Sequence, residues 1–353
     1  MVGDRPVRAA RMSAGPVPPG PLPPGPVRVA AIDCGTNSLR LLVADVDTGL
    51  RRLADVVRRM EIVRLGQGVD ATGRLAPDAL DRTLHTLAEY ADIIHRSGAT
   101  SVRMVATSAT RDAANAAEFS AAVTMILGQP PEVLTGGEEA ALSFAGATAE
   151  LAAGAAGESP LPGPYLVVDI GGGSTEFVLG SAVQPEDGQP KDGGGDGLAA
   201  CSMDIGCVRM TERHLHDDPP TAAQIGAATA DIDAAIAEAS AAVRADRART
   251  LVGLAGSVTT VAGIALDLPA YDPEKIHHAR ITADQVHEVT QNLLSLTVAQ
   301  RREIGVMHPG RADVIGAGAL VLDRIITNLG FAEVITSEHD ILDGIAWSLA
   351  RTR

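Results

Sequence analysis

Hydrophobic positions along the chain fall into blocks with two distinct periods. VRVAAID at 27–33 and LRLLVADV at 39–46 are near-continuous apolar runs around a short polar turn, the pattern of a hairpin of buried strands. A third strand is expected over 52–63. Pro77 then opens a helix whose Leu80, Leu84, Leu87, Ala91 and Ile94 recur at steps of four and three, and Gly98 stops it. A strand at 101–107, a helix over 112–127, a strand at 131–134 and a helix from Glu138 follow. After the small-residue stretch 152–164, the pattern predicts strands at 165–170, 175–180, 250–255 and 332–336. It predicts helices at 221–248, 282–298, 312–329 and 339–352. Strands alternating with helices imply α/β layers. The Pro/Gly-rich residues 1–26 read as an extended leader, and the Gly/Asp-rich 184–197 as a mobile surface insertion.

The two hairpins repeat one another. Asp33, Gly35 and Ser38 match Asp169, Gly171 and Ser174, each pair 136 positions apart. Thr107-Ser108-Ala109-Thr110 matches Gly256-Ser257-Val258-Thr259 at an offset of 149. A duplicated half-domain explains both and places equivalent loops on facing lobes.

Composition narrows the function. The 353 residues suffice for two domains, and 46% hydrophobic with 21% charged residues supports a sizeable core. No stretch is long and apolar enough for a membrane span, and no secretory signal pattern stands at the N-terminus. Cys34, Cys201 and Cys207 are not spaced as zinc ligands or a redox pair; a reducing, cytoplasmic location is expected. The net charge of −15 argues against nucleic acid as a partner, and 2% aromatics against base-stacking platforms.

The turns carry the chemistry. An Asp ending a buried strand, followed by small residues, lets main-chain N–H groups approach an oxyanion closely. Gly35, Thr36, Asn37 and Ser38 form one candidate phosphate turn, and Gly171, Gly172, Gly173, Ser174 and Thr175 the other. Ser108, Gly256 and Ser257 follow the next strands of the two halves. Asp33 and Asp169 could hold a cation between the turns, and Glu176 could converge with Asp169 on one Mg²⁺. A buried Asp satisfied by turn amides is the bland alternative.

VAAIDCGTNSLRLLV and VVDIGGGSTEFVLG resemble the two phosphate motifs of the acetate kinase/actin/Hsp70 superfold. EIVRLGQGVDATGRL, VATSATRDAANA, TGGEEAALSFAG, SMDIGCVRMTE and LAGSVTTVAG narrow the likeness. From residue 27 onward the chain resembles the exopolyphosphatase/guanosine pentaphosphate phosphohydrolase (Ppx/GppA) family, in its short two-domain form. The resemblance implies two duplicated ribonuclease H-like domains of the actin-like ATPase superfold, facing across a cleft. The expected division is 27–143 and 144–338, with a C-terminal helix over 339–353 packing back on the first domain.

By the same resemblance, Glu139 is the catalytic base and Arg111 faces the terminal phosphate. Each has a plainer reading: helix-dipole complementarity for Glu138 and Glu139, and an ion pair with Asp112 or another acid for Arg111. The implied activity is Mg²⁺-dependent exopolyphosphatase, with inorganic polyphosphate as partner, Mn²⁺ as an alternative metal and a monovalent cation left open. Rival readings are a pppGpp 5′-phosphohydrolase, a kinase or ATPase of the wider superfold, and a non-catalytic (p)ppGpp-sensing regulator. A homodimer is left open. Arg40 and Arg209 are the next cationic candidates. Lys275, His277, His278 and Arg280 read as a solvated loop before a polyanion guide, as do Arg301, Arg302, His308 and Arg311. His339-Asp340 lacks the further ligands of an HD metal site. Leu342-Asp343-Gly344 departs from the family's pattern, which leaves the role of those side chains open. Cys34 reads as a packing residue.

Overall fold

A computed structural model describes residues 25–50, 52–151, 161–181 and 197–351. Most of the leader (1–24) and of the insertion (184–196) lie outside the described residues.

The first half runs β1 (Val27–Cys34), β2 (Ser38–Asp47), β3 (Arg52–Ile62), α1 (Val69–Thr72), α2 (Pro77–Ser97), β4 (Ser101–Ala106), α3 (Ser108–Arg111), α4 (Ala116–Leu127) and β5 (Glu132–Val133). α5 (Gly136–Leu151) leads into the second half: β6 (Tyr165–Ile170), β7 (Thr175–Gly180), β8 (Ala199–Met203), α6 (Cys207–His214), α7 (Ala222–Val243), β9 (Thr250–Leu254) and α8 (Ala255–Ala265). The chain ends with α9 (Pro273–Ile276), β10 (Arg280–Thr282), α10 (Ala283–Ser295), α11 (Val298–Arg302), α12 (Ile315–Leu329), β11 (Glu333–Thr336) and α13 (Ile341–Arg351).

The first sheet has the order β3-β2-β1-β4-β5, and the second β10-β11-β9-β6-β7-β8. Removing the extra edge strand β10 leaves the same order in both: an antiparallel meander of three strands followed by two strands parallel to the first. The register makes the duplication exact in space. Asp33 lies beside Val105 and Asp169 beside Leu254, reproducing the offsets of 136 and 149 read from the motifs.

Each inner strand is buried on both faces, which is why it reads as continuous apolar sequence. In β1, Ala30, Ile32 and Cys34 join the core beneath α2 and α4, while Val29 and Ala31 meet Ile341, Ile345 and Ala346 of α13. In β6, Leu166, Val168 and Ile170 join the large core under α7 and α12, while Tyr165 and Val167 meet Ala140, Phe144 and Ala147 of α5. α5 and α13 thus lie between the sheets, and they cross at a pair of glycines. A Cβ on Gly146 would strike the backbone at Asp340, and one on Gly344 the backbone at Leu142.

Residue 143, at the expected domain boundary, lies inside α5, whose apolar stripe packs on the second sheet. Three sequence expectations about elements are corrected. The helix expected at 112–127 is split: Ser108–Arg111 forms a separate short turn of helix, and the longer helix begins at Ala116. The helix expected from Glu138 begins at Gly136. β8, α6, α8 and β10 have no counterpart among the elements read from the sequence; their mixed or small-residue composition gives no sustained period.

Candidate active site

The two hairpin turns are built alike. Gly35 N–H donates to Ser38 O, and Gly171 N–H to Ser174 O, each at 3.0 Å. Behind the first turn, Thr36 O accepts from Gly66 N–H, and Asn37 O from Val63 and Arg64 N–H. Behind the second, Gly171 O accepts from Cys207 N–H, Gly172 O from Val208 and Arg209 N–H, and Gly173 O from Gly206 N–H. A trans peptide sends its N–H opposite to its carbonyl, so tying the carbonyls backward turns the following N–H groups forward. Among the described residues, the N–H groups of Thr36, Asn37, Gly172, Gly173 and Ser174 have no backbone acceptor. They are preorganised donors for an anion.

The turns touch across the cleft. A Cβ on Gly172 would lie 3.0 Å from Thr36 Cβ, and one on Gly173 would lie 2.6 Å from Ser108 Oγ and 2.7 Å from Thr36 Oγ1. Beside them opens a cavity of about 490 Å³. Of the candidates, Asp33, Gly35, Thr36, Asn37, Ser38, Ser108, Glu139, Asp169, Gly171, Gly172, Ser174, Gly256 and Ser257 line it. The N-terminal residues of α3 and α8 meet there, as the second repeat offset requires.

Burial concentrates negative charge at this point. Burial pushes Asp33 up to about 7, with Arg40 opposing and Asp340 and Asp169 adding. It pushes Asp169 to about 6 and Glu176 to about 7, in each case with a neighbouring carboxylate reinforcing the shift. Glu139 is raised well above the usual carboxylate range by burial first, then by Glu176, Asp33 and Asp169. Arg111 stands beside it, with Nη1 3.4 Å from Glu139 Oε2 and 3.0 Å from Leu134 O. Of the ion-pair readings for Arg111, Asp112 or another acid, the second holds: Arg111 pairs with Glu139, and Arg209 takes Asp112. Arg111 lines a second cavity behind Glu139 rather than the main one.

The oxygen donors fit a divalent cation. Asp33 Oδ1 is buried with no hydrogen-bond partner. Asp169 Oδ2 accepts from Ser143 Oγ at 2.7 Å, and Asp33 and Asp169 face the same cavity. Among the described residues, no group of three or more His, Cys, Asp or Glu is arranged to enclose an ion. Two carboxylates completed by water and phosphate oxygens is the coordination that magnesium favours. Glu176 stands directly across the hairpin from Asp169, but its Oε1 already accepts from Ser174 and Ser202, both at 2.7 Å.

Thr175 is corrected as a phosphate donor: it is fully buried and its hydroxyl donates to Ile205 O. Gly173 serves through close approach and a tied carbonyl rather than by lining the main cavity. Arg301 is likewise no channel residue, being buried and donating to Leu293 O and Ala312 O. Cys34 is buried and its thiol is pushed up, so it is no nucleophile. Asp340 pairs with Arg40, and Asp343 pairs with Arg58 at 2.7 Å while accepting from Asp340 N–H. Tyr271 escaped the sequence reading. It lines the cavity, its hydroxyl held by Thr259 and Glu338, and no local motif announces it.

Paired hairpin turns with unpaired amides on duplicated sheets, with a shared acidic centre, define a phosphoryl-transfer protein of the actin-like ATPase fold. The model of the Ppx/GppA phosphatase family matches residues 42–352, and the chain belongs to that family. Exopolyphosphatase 2 of Mycobacterium tuberculosis is 49% identical over 334 residues, covering 92% of this chain and 98% of that protein. The crystal structure of an exopolyphosphatase-like protein superposes with a TM-score of 0.84 at 42% identity, covering 93% of this chain and 99% of that one. A guanosine-5′-triphosphate,3′-diphosphate pyrophosphatase of Vibrio cholerae is 36% identical over 194 residues, 55% of this chain and 34% of that protein. Among the described residues, no helix is long and apolar enough to cross a membrane.

Proposed function

We propose that this chain is an exopolyphosphatase, releasing the terminal phosphate of inorganic polyphosphate by in-line attack of water. The observation that carries the reading is the meeting of Asp33, Asp169 and Glu139 at one cavity, in front of turn amides whose carbonyls are tied away from it. Phosphoryl transfer asks chiefly for positioning and charge stabilisation. The N–H groups of the two turns hold the transferring group, and Glu139 orients the water and takes its proton. Its raised proton affinity suits that task near neutral pH. Arg111 keeps the Glu139 carboxylate aimed and offsets its charge. Asp33 and Asp169 would hold Mg²⁺, which when bound neutralises charge on the phosphate chain. Arg311, donating to Gly256 O at 3.2 Å, gives the inner phosphates a cationic wall.

One observation favours a second substrate. Tyr271, 40% exposed, is an aromatic residue lining the cavity, of a kind the overall scarcity of aromatics had argued against. A nucleoside at the chain end, as in pppGpp, could stack on it. Orthophosphate release from medium-chain polyphosphate, pppGpp and ATP, each with and without Mg²⁺, tests both readings. Mg²⁺-dependent release from polyphosphate is expected; release from pppGpp or ATP alone would overturn the first reading.

A further inference from the structure

α6 is joined to both sides of the cleft. Its N-terminal amides tie the carbonyls of Gly171 and Gly172, holding the second phosphate turn from behind. Its outward side chains reach the other half of the molecule: Glu212 accepts from Gly68 N–H at 3.0 Å, and Arg213 pairs with Asp70 at 3.1 Å. Arg209 does both at once. Its Nε donates to Gly173 O at 2.7 Å, while Nη1 reaches Asp70 at 2.5 Å and Nη2 reaches Asp112 at 2.6 Å. Its side chain is only 11% exposed.

We infer that Arg209 is a positioning residue for the reaction: beside the Gly206 N–H that also holds Gly173 O, it ties the second phosphate turn to the opposite lobe, so that the turn is fully set when the lobes are together. The reason is covalent. The carbonyl that Arg209 holds belongs to the same peptide as the N–H of Ser174, a residue lining the cavity. In a trans peptide the two point in opposite directions. Fixing Gly173 O from behind therefore aims Ser174 N–H forward, at the place where a phosphate oxygen would sit. Within its own half the guanidinium has Asp204 at 3.6 Å; the closer pairs with Asp70 and Asp112 form only while the first half is apposed. A planar fork spans a carbonyl and two carboxylates; the point charge of lysine does not.

The inference rests on the phosphohydrolase reading for its kinetics but not for its structural readout. Hydrogen exchange over the peptide containing Gly171–Ser174 is measured on the full chain without substrate, alongside phosphate release. The variants are R209M, R209K and D112N, the last removing a partly exposed carboxylate without touching the turn. In R209M the turn peptide exchanges faster and kcat falls about 100-fold with a smaller change in KM, as expected for slight misplacement of a reacting group. R209K does not restore kcat. D112N speeds exchange in the turn peptide although it contacts no turn atom, and R209M with D112N is no worse than R209M alone. Unchanged exchange in both R209M and D112N, or a kcat for R209M within threefold of the parent, overturns the inference. If the parent releases no phosphate from any substrate tested, the functional reading fails, and the exchange result still decides the link.

Discussion

Arg40 and Glu176 occupy the same position in the two halves of the molecule. Each stands directly across its hairpin from a turn aspartate, Arg40 opposite Asp33 and Glu176 opposite Asp169. Duplication produced two equivalent sites, and a reversal of charge at one position made them different. The first aspartate has a cation 3.6 Å away; the second has a carboxylate. The reversal leaves the centre net acidic while giving Asp33 and Asp340 a shared counter-ion.

Arg40→Met is therefore expected to leave two buried carboxylates unpaired. Removing one partner of a buried ion pair costs about 3–5 kcal/mol, measurable by urea unfolding. Adding Asp340→Asn to that background should recover part of the loss. A single variant as stable as the parent would show that Arg40 does not serve as this counter-ion.

Glu139→Gln should lower the phosphate-release rate by about 10²–10⁴-fold, the usual worth of a general base. Its melting temperature should hold or rise, because the amide no longer repels Glu176, Asp33 and Asp169. A rate within a few-fold of the parent would remove Glu139 from the mechanism.

The acidic centre sets a pH dependence of stability. Asp33, Asp169 and Glu176 are raised to about 7, 6 and 7 in the folded chain. Unfolded carboxylates titrate near about 4, so between about pH 4 and pH 7 the unfolded chain binds fewer protons. The contribution of these groups to stability is thus fully present below about pH 4 and is lost as pH rises to about 7. Scanning calorimetry of the metal-free protein should show this as a decline from about pH 4 to pH 7. Excess Mg²⁺ should raise the melting temperature more at the higher pH, where the carboxylates are ionised. Equal stabilisation at both would argue against these groups as ligands.

Gly173→Ala places a methyl group 2.6 Å from Ser108 Oγ and 2.7 Å from Thr36 Oγ1. Either the hydroxyls of Ser108 and Thr36 must rotate away, breaking their 2.9 Å hydrogen bond, or the two turns must part by several tenths of an ångström. Activity should fall by about 10–100-fold, since small misplacements of reacting groups are costly. The melting temperature should change little. Full activity would mean that the close apposition of the turns is dispensable.

How far the sequence reached depends on the range of the interactions involved. The helix at Pro77–Ser97 and the paired strands at 165–170 and 175–180 were legible because period, proline and glycine act within a few residues. β8 was not: AACSM is partly buried apart from exposed Ala200, and its small and polar residues give no sustained alternation. The same holds for side-chain roles. The hydroxyl of Thr175 is spent on Ile205 O, 30 residues away, and the departure at Asp343 proved to be a pairing with Arg58, 285 residues away.

What the sequence determined by itself was the repeat: two Asp-x-Gly hairpins between buried strands, and hence a doubled sheet with two matching turns. Backbone geometry of that kind is local, and glycine and burial write it directly into residue order. Tertiary structure alone decided which side chains stand guard over those turns: Arg209 across the cleft, Tyr271 on the cavity wall and Asp340 beside Arg40. Those contacts join residues far apart in the chain, and those of Arg209 exist only once the two sheets face each other.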